Sequence, residues 1–354
     1  MPGTEQPSYD QGTLRRRFSL IFTGLFFILI ISFILDIFLG SVNIKPSEII
    51  NTILAGTDDV TRRIFFQFRL PKAITALLVG IALSTSGLQM QTLFRNPMAG
   101  PYVLGLSSGA SLGVAFVIMG FSSNMSPDAI KGIGNWAIAV SSWIGAGLVM
   151  LLIMIISSKV KNIMTVLILG IMLSSGISAI VSIMQYFSNE TMLKTYIVWT
   201  MGSLGNLTSS QLNVLVMSVM AGIFLCLFSV KMLNALVIGE EYSRSIGLNV
   251  RLSRIVIISG TSLLAGTVTA FCGPIGFIGV AVPHLARMVF KTSDHKILIP
   301  ASILTGGIVM LVSDIISQMP GSDNVLPINS ITSLIGIPVV IWVLIRDQKR
   351  RDIF

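Results

Sequence analysis

Gly239-Glu240-Glu241-Tyr242-Ser243-Arg244-Ser245-Ile246-Gly247-Leu248 is a polar island between two long apolar runs, residues 210–230 and 254–272. Glu240 and Glu241 precede Arg244 at helical spacing, and Gly247 can end a helix, so the island predicts one short surface helix. The flanking runs decide the fold. Each is about 20 residues long, the length that crosses a bilayer as a helix. Charge placed between two such runs implies something on the water side that grips it.

Working outward, the same length criterion finds about ten runs in all. The others lie near 18–39, 70–93, 101–120, 136–157, 163–187, 274–290 (short and broken), 298–318 and 329–345. The chain has 354 residues, of which 53% are hydrophobic and 11% charged, with a mean hydropathy of +0.85. A soluble domain carries roughly twice that charge. Backbone groups in lipid must be bonded internally, so the runs are expected to be helices and the fold all-α and polytopic. The expected organisation is a segment 1–17, a ten-helix domain 18–345 with the island at 239–250, and a tail 346–354. Arg15-Arg16-Arg17 before the first run resembles a signal peptide. The run is too long for one and no small-x-small cleavage site follows, so it reads as a retained span.

Charge orients the chain. With both termini in the cytoplasm, the inner segments hold Arg15, Arg16, Arg17, Arg95, Lys159, Lys161, Lys231, Arg244, Arg251, Arg254, Arg287, Lys291, Lys296, Arg346, Lys349, Arg350 and Arg351. The outer segments hold only Lys45, Arg62, Arg63, Arg69, Lys72, Lys131 and Lys194. This is the positive-inside pattern, and an odd span count would destroy it. The net charge of +9 is thereby explained without nucleic acid. Residues 58–72 break the rule, with Asp58, Asp59, Arg62, Arg63, Arg69 and Lys72 together outside. They read as headgroup anchors or as a basic patch for an acidic partner.

Arg69-Leu70-Pro71-Lys72 and Arg251-Leu252-Ser253-Arg254 open spans that run in opposite directions, and Gly100-Pro101 and Gly273-Pro274 fall at comparable places. Together they suggest an inverted repeat, spans two to five against seven to ten.

The chemical motifs are sparse. Gly105-Leu106-Ser107-Ser108-Gly109 matches a nucleophile elbow. It sits in a small-residue membrane run, where it and Gly109-x-x-x-Gly113 serve close helix approach, so a hydrolase built on Ser107 is disfavoured. No Gly-Lys pair exists, hence no phosphate loop. Cys226 and Cys272 lie in apolar runs, and His284 and His295 have no ligand cluster near them in sequence, so catalysis, metal and cofactor are not expected. Asp314 is the clearest intramembrane acid; Asp36 lies near a span end. A lone aspartate more often pairs with a neighbouring helix than relays protons. The chain thus reads as a transporter without its own energy source, and an ion-coupled secondary carrier is the alternative.

From about residue 45 onward the chain resembles the permease subunits of type II ABC importers, which take up ferric siderophores, vitamin B12 and haem. The resemblance rests on Arg69-Leu-Pro-Lys72, Gly87-Leu-Gln-Met-Gln91, Phe94-Arg-Asn-Pro-Met-Ala99, Leu104-Gly-Leu-Ser-Ser-Gly-Ala110, Trp199-Thr-Met-Gly-Ser203, Gly239-Glu-Glu241, Gly273-Pro-Ile-Gly-Phe-Ile-Gly279, Pro283-His-Leu-Ala-Arg287 and Asp294-His295. It implies two permease subunits, two ATP-binding subunits and an outer substrate-binding protein, with an iron-siderophore-type chelate as cargo. It also implies that Glu240, Glu241, Tyr242, Ser243, Arg244, Ser245, Ile246 and Gly247 couple to the ATPase. By the same resemblance Arg69 and Lys72, within the patch that includes Arg62 and Arg63, meet the binding protein. Ser174, Ser175, Ser178 and Gln185 would line the path. The chain departs from the family at Val325-Leu-Pro-Ile-Asn329, where Glu-x-Pro-x-Gly is usual, and at Gln318, where a basic residue is common. These departures favour a heterodimer of two different permeases.

Overall fold

The computed structural model describes residues 11–40, 47–48, 60–120, 134–160, 162–320 and 324–351. Lys45, Asp58, Asp59, Lys131 and Lys161 lie outside the described residues. Thirteen helices and no strand occur among them: α1 Gln11–Phe38, α2 Val60–Phe94, α3 Leu106–Gly120, α4 Asn135–Lys159, α5 Ile163–Phe187, α6 Glu190–Thr200, α7 Ser209–Phe228, α8 Val230–Ile238, α9 Glu240–Ser245, α10 Val250–Cys272, α11 Ile278–Phe290, α12 His295–Ser317 and α13 Ile328–Arg351. Seven of them, α1, α2, α4, α5, α7, α10 and α12, are long and apolar enough to cross a bilayer. The other three expected runs form shorter apolar helices, α3, α11 and the first part of α13. Helices α3 and α11 are short because Pro101 and Pro274 hold the chain before them out of helix. Gly105, at positive φ, turns the chain into α3, and Gly273, also at positive φ, ends α10.

Helix α2 is the central post, and α7, α10, α11 and α12 pack around it. Small residues permit this. A Cβ on Gly80 would lie 2.2 Å from the Gly306 carbonyl oxygen of α12. One on Gly87 would overlap the Gly279 carbonyl of α11. Ser84 Oγ donates to the Ser302 carbonyl at 2.8 Å. Between membrane helices, where lipid is as apolar as leucine, backbone approach of this kind supplies the packing energy. The Gly109/Gly113 spacing acts likewise: a Cβ on Gly113 would lie 2.0 Å from the Ser141 carbonyl of α4. Helices α2 and α10 carry the two similar openings, and they cross in the core. There Thr261 Oγ1 donates to Gln89 Oε1 at 3.1 Å and Gln89 Nε2 donates to Ser229 Oγ at 3.3 Å.

Five helix starts are capped by side chains. Asn162, Asn189, Asn249 and Asp294 each accept a backbone N–H, and Thr208 forms a reciprocal capping box with Gln211. The Asp294 carboxyl is partly desolvated, which opposes ionisation. The Lys296 N–H, the Asn234 amide and the Lys296 charge outweigh this and hold it below the usual carboxylate range.

Candidate functional site

The polar island folds as one short helix, α9, standing between α8 and α10. Gly239 enters it at φ 152°, and a Cβ there would meet Arg95 Nη2 at 2.7 Å. The positive φ favours glycine at this position. Ser243 Oγ donates back to the Gly239 carbonyl at 2.6 Å. Gly247, at φ 85°, ends the helix: its N–H donates to Arg244 O at 3.0 Å, and the Leu248 N–H to Ser243 O at 2.9 Å. Ser243 is buried against the bundle, while Glu241, Tyr242, Arg244, Ser245 and Ile246 are exposed. The helix therefore has a fixed inner edge and a free outer one.

Its root is an ion pair that spacing did not predict. The i, i+4 pattern assigns Glu240 to Arg244, but those groups are 4.0 Å apart. Arg254, 4% exposed and on the second turn of α10, takes Glu240 instead, with Nη2 at 2.6 and 2.8 Å from the carboxylate oxygens. Its Nη1 donates to the Val160 carbonyl, in the link between α4 and α5, at 3.0 Å. The available signal was a charge inside an apolar run, which must find a partner. On the other side, Arg95 holds a left-handed helix cap at φ 48° and donates Nε to the Leu236 carbonyl at 3.2 Å. A cleft of about 600 Å³ opens between the ends of α2 and α8 and the starts of α5 and α9; Arg95, Asn162, Met164 and Tyr242 line it.

The two histidines brace this same end. The His284 ring donates to the Pro97 carbonyl at 2.8 Å, steadying the broken chain between α2 and α3. His295 is fully buried between Thr92 and Asn234, at 2.8 Å from each. Cys226 and Cys272 are buried free thiols.

A second feature lies deeper. Ser174, Ser178, Ser182 and Gln185 follow one face of α5 and open onto a groove of about 400 Å³. Its opposite wall is Ser107, Ser108 and Ser111 of α3, with Tyr102 and Tyr196 closing it. Three of the four path residues expected from the family thus come together, whereas Ser175 is exposed outside the groove. The α3 serines, which the sequence presents as packing residues, also line this groove. Among the described residues, the fold gives Ser107 hydroxyl neighbours and no histidine or carboxylate in the groove. Burial holds the Tyr196 phenol above its usual range, only partly offset by its hydrogen bond with Ser111.

The third feature occupies the far end of α2. Arg69 is buried and donates Nη1 to the last carbonyls of α1, Ile37 at 3.0 Å and Phe38 at 2.9 Å. Lys72 Nζ lies 3.1 Å from Asp314 Oδ1. Gln318, the departure from the basic residue, donates its amide to both Asp314 Oδ2 at 2.9 Å and Asp36 Oδ1 at 3.1 Å. One neutral amide thus spans two buried carboxylates and ties α1 to α12. Of the four expected docking residues, Arg63 is exposed, Arg62 half-buried over the Phe66 ring, and Arg69 and Lys72 turn inward. Asn329, the other departure, is also structural: its Oδ1 accepts the Gly276 N–H at 3.0 Å, and its own N–H donates to Met201 O at 3.2 Å. It pins the turn in which Phe277 adopts φ 64°.

These features have counterparts in known proteins. The chain is 32% identical over 329 residues to the vitamin B12 import system permease protein BtuC of Klebsiella pneumoniae, covering 92% of this chain and 94% of that one. It is 33% identical over 316 residues to the hemin transport system permease protein HmuU of Yersinia pestis, covering 89% and 92%. A solved metal-chelate type ABC transporter in an inward-facing conformation superposes with a TM-score of 0.79, at 28% identity, over 93% of this chain and 99% of that one. The match to the FecCD transport family spans residues 28–346. The chain belongs to that family: it is a multi-pass membrane permease subunit of the ABC-importer type, in which ATP hydrolysis resides on a separate subunit.

Proposed function

We propose that this chain is one half of the membrane channel of an importer for an iron-siderophore-type chelate. An outer binding protein delivers the chelate and two copies of an ATP-binding subunit drive its passage. The second permease is a different chain, because Gln318 and Asn329 replace residues usual in the family. The termini lie in the cytoplasm, as the charge distribution requires, and the two similar openings in α2 and α10 mark an inverted repeat. In this reading Glu240, Glu241, Tyr242, Ser243, Arg244, Ser245, Ile246 and Gly247 enter the ATPase. Ser174, Ser178 and Gln185 line the path, and Ser175, expected with them, lies outside the groove. Arg62 and Arg63 meet the acidic face of the binding protein directly, and Arg69 and Lys72 support that surface from beneath.

The observation that carries the reading is the build of α9: polar and exposed on one side, anchored on the other by Glu240–Arg254. A push on the exposed side passes through Arg254 to Val160, and so to the start of α5, which carries the path serines. Replacing residues 240–247 by a Gly/Ser linker is expected to release the ATPase from the detergent-solubilised complex. Continued co-purification would contradict the coupling role.

A further inference from the structure

The cluster at the far end of α2 holds two buried acids that are served unequally. Asp36 is 3% exposed and Asp314 1%. Asp314 is met on both oxygens: Lys72 Nζ lies 3.1 Å from Oδ1, and Gln318 Nε2 donates to Oδ2 at 2.9 Å. Asp36 is met on one. Gln318 Nε2 donates to its Oδ1 at 3.1 Å, while its buried Oδ2 has no hydrogen-bond partner among the described residues. The amide nitrogen has two hydrogens and has spent both. Its oxygen lies toward Arg69: a Cβ on Gly40 would sit 3.2 Å from Gln318 Oε1 and 3.1 Å from Arg69 Nη2. Among the described residues, the charged groups facing Asp36 are thus Asp314 of α12 and Lys72 of α2, with Arg69 of α2 beyond the amide.

An ionised carboxylate only accepts hydrogen bonds, so two of them side by side repel. These two carboxyl groups nevertheless lie within hydrogen-bonding reach of each other. One proton settles both difficulties. It makes the Asp36 carboxyl a donor and leaves Asp314 ionised opposite Lys72, so that the three groups together carry no net charge. A metal cation suits the gap poorly, because it needs a shell of oxygens and the nitrogens of Gln318 and Lys72 already face the carboxylates. We infer that Asp36 and Asp314 form a binding site for one proton, resident at neutral pH, which fastens α1 to α12. The proton is a structural ligand here and not cargo, so the site stands apart from the transport reading.

Infrared spectra of the purified full chain in detergent, in H2O and D2O at about pH 7, test the site directly. One isotope-sensitive C=O band of a protonated carboxyl is expected, and Asp36→Asn should remove it. Gln318→Lys, which supplies a positive charge in place of the neutral amide, should remove it too. Linkage gives a second readout. The folded chain keeps a proton that a free aspartate, titrating near about 3.9, releases on unfolding, so this contribution to stability falls as pH rises. Between about pH 5 and about pH 9 the parent is expected to lose roughly 5 °C more in Tm than Asp36→Asn does. Absence of the band in the parent, or equal pH dependence of parent and variant, would overturn the proposal. So would a Tm that rises with Na+ over choline in the parent and not in Asp36→Asn, since a metal ion would then hold the place. If Asp36→Asn does not accumulate, Gln318→Lys decides alone, and a band that persists in it overturns the site.

Discussion

Arg254 forks Glu240: its Nη2 reaches both carboxylate oxygens, at 2.6 and 2.8 Å, while Nη1 holds the Val160 carbonyl at 3.0 Å. One guanidinium thus links the polar helix, the start of α10 and the chain entering α5. Only arginine spans all three, because its fork offers parallel donors and a further one at an angle. Glu240→Gln keeps the shape but loses the charge, and a charge-assisted bond of this type is worth about 1.5–3 kcal/mol. The expected outcome is a complex that still assembles and hydrolyses ATP but moves roughly tenfold less solute per ATP. The ratio of uptake to phosphate release in proteoliposomes measures it. Arg254→Lys should show the same defect, since an ammonium cannot hold both partners in the same geometry.

Helix approach makes a second prediction. Val at Gly80 or Gly306 would force atoms into the facing backbone, so either variant is expected to lose more than about 3 kcal/mol or fail to accumulate in the membrane. Gly147→Ala, where nothing lies within 4 Å, should melt like the parent. Thermal unfolding in detergent compares the three.

At the far end of α2, Lys72 and Asp314 form a pair in which the aspartate is 1% exposed. Removing Lys72 leaves Asp314 charged and buried, at a cost of about 3–5 kcal/mol; replacing both with apolar residues costs far less. A cycle of Lys72→Met, Asp314→Leu and the double variant should therefore show strong coupling, with the double more stable than either single. Additive losses would mean that the pair is not formed. The same pairing gives Asp314 a structural task, so Asp314→Asn is expected to lower stability while ATP-driven uptake persists.

The exposed arginine of the docking patch is predicted to behave differently. Arg63→Glu should weaken association of the loaded binding protein, more at 0.02 M salt than at 0.3 M, because screening shortens the reach of exposed charges to roughly 10 Å at 0.1 M. Arg69→Glu should instead act through stability, because its guanidinium is spent on the ends of α1. Titration of binding protein onto the complex at the two salt concentrations separates the effects.

Much of the architecture was legible in the chain because the bilayer enforces it. Long apolar runs can only be helices, and their ends fall within a few residues of the expected positions for α4, α5, α7 and α12. Gly-Pro pairs marked the breaks before α3 and α11, and Gly109/Gly113 the close contact with α4. The site was legible where one local segment makes it, as in α9 with its Gly247 stop. It was not legible where partners come from distant segments. Nothing in local spacing assigns Glu240 to Arg254 rather than Arg244, or turns Arg69 inward onto Ile37 and Phe38. The α3 serines look like packing residues until the fold sets them opposite Ser174 and Ser178. Gln318 and Asn329 stand out as departures from a pattern, yet their roles depend on Asp36 and Gly276, which come from segments remote in sequence.

We propose that this chain moves solute only when a nucleotide-hydrolysing partner pushes on α9. The most direct test is uptake into liposomes holding the purified permease pair, with and without the ATPase, under a pH gradient and with ATP and loaded binding protein supplied. Accumulation is expected only when ATPase and ATP are both present. Concentration of the solute by the permease alone, driven by the gradient, would contradict it.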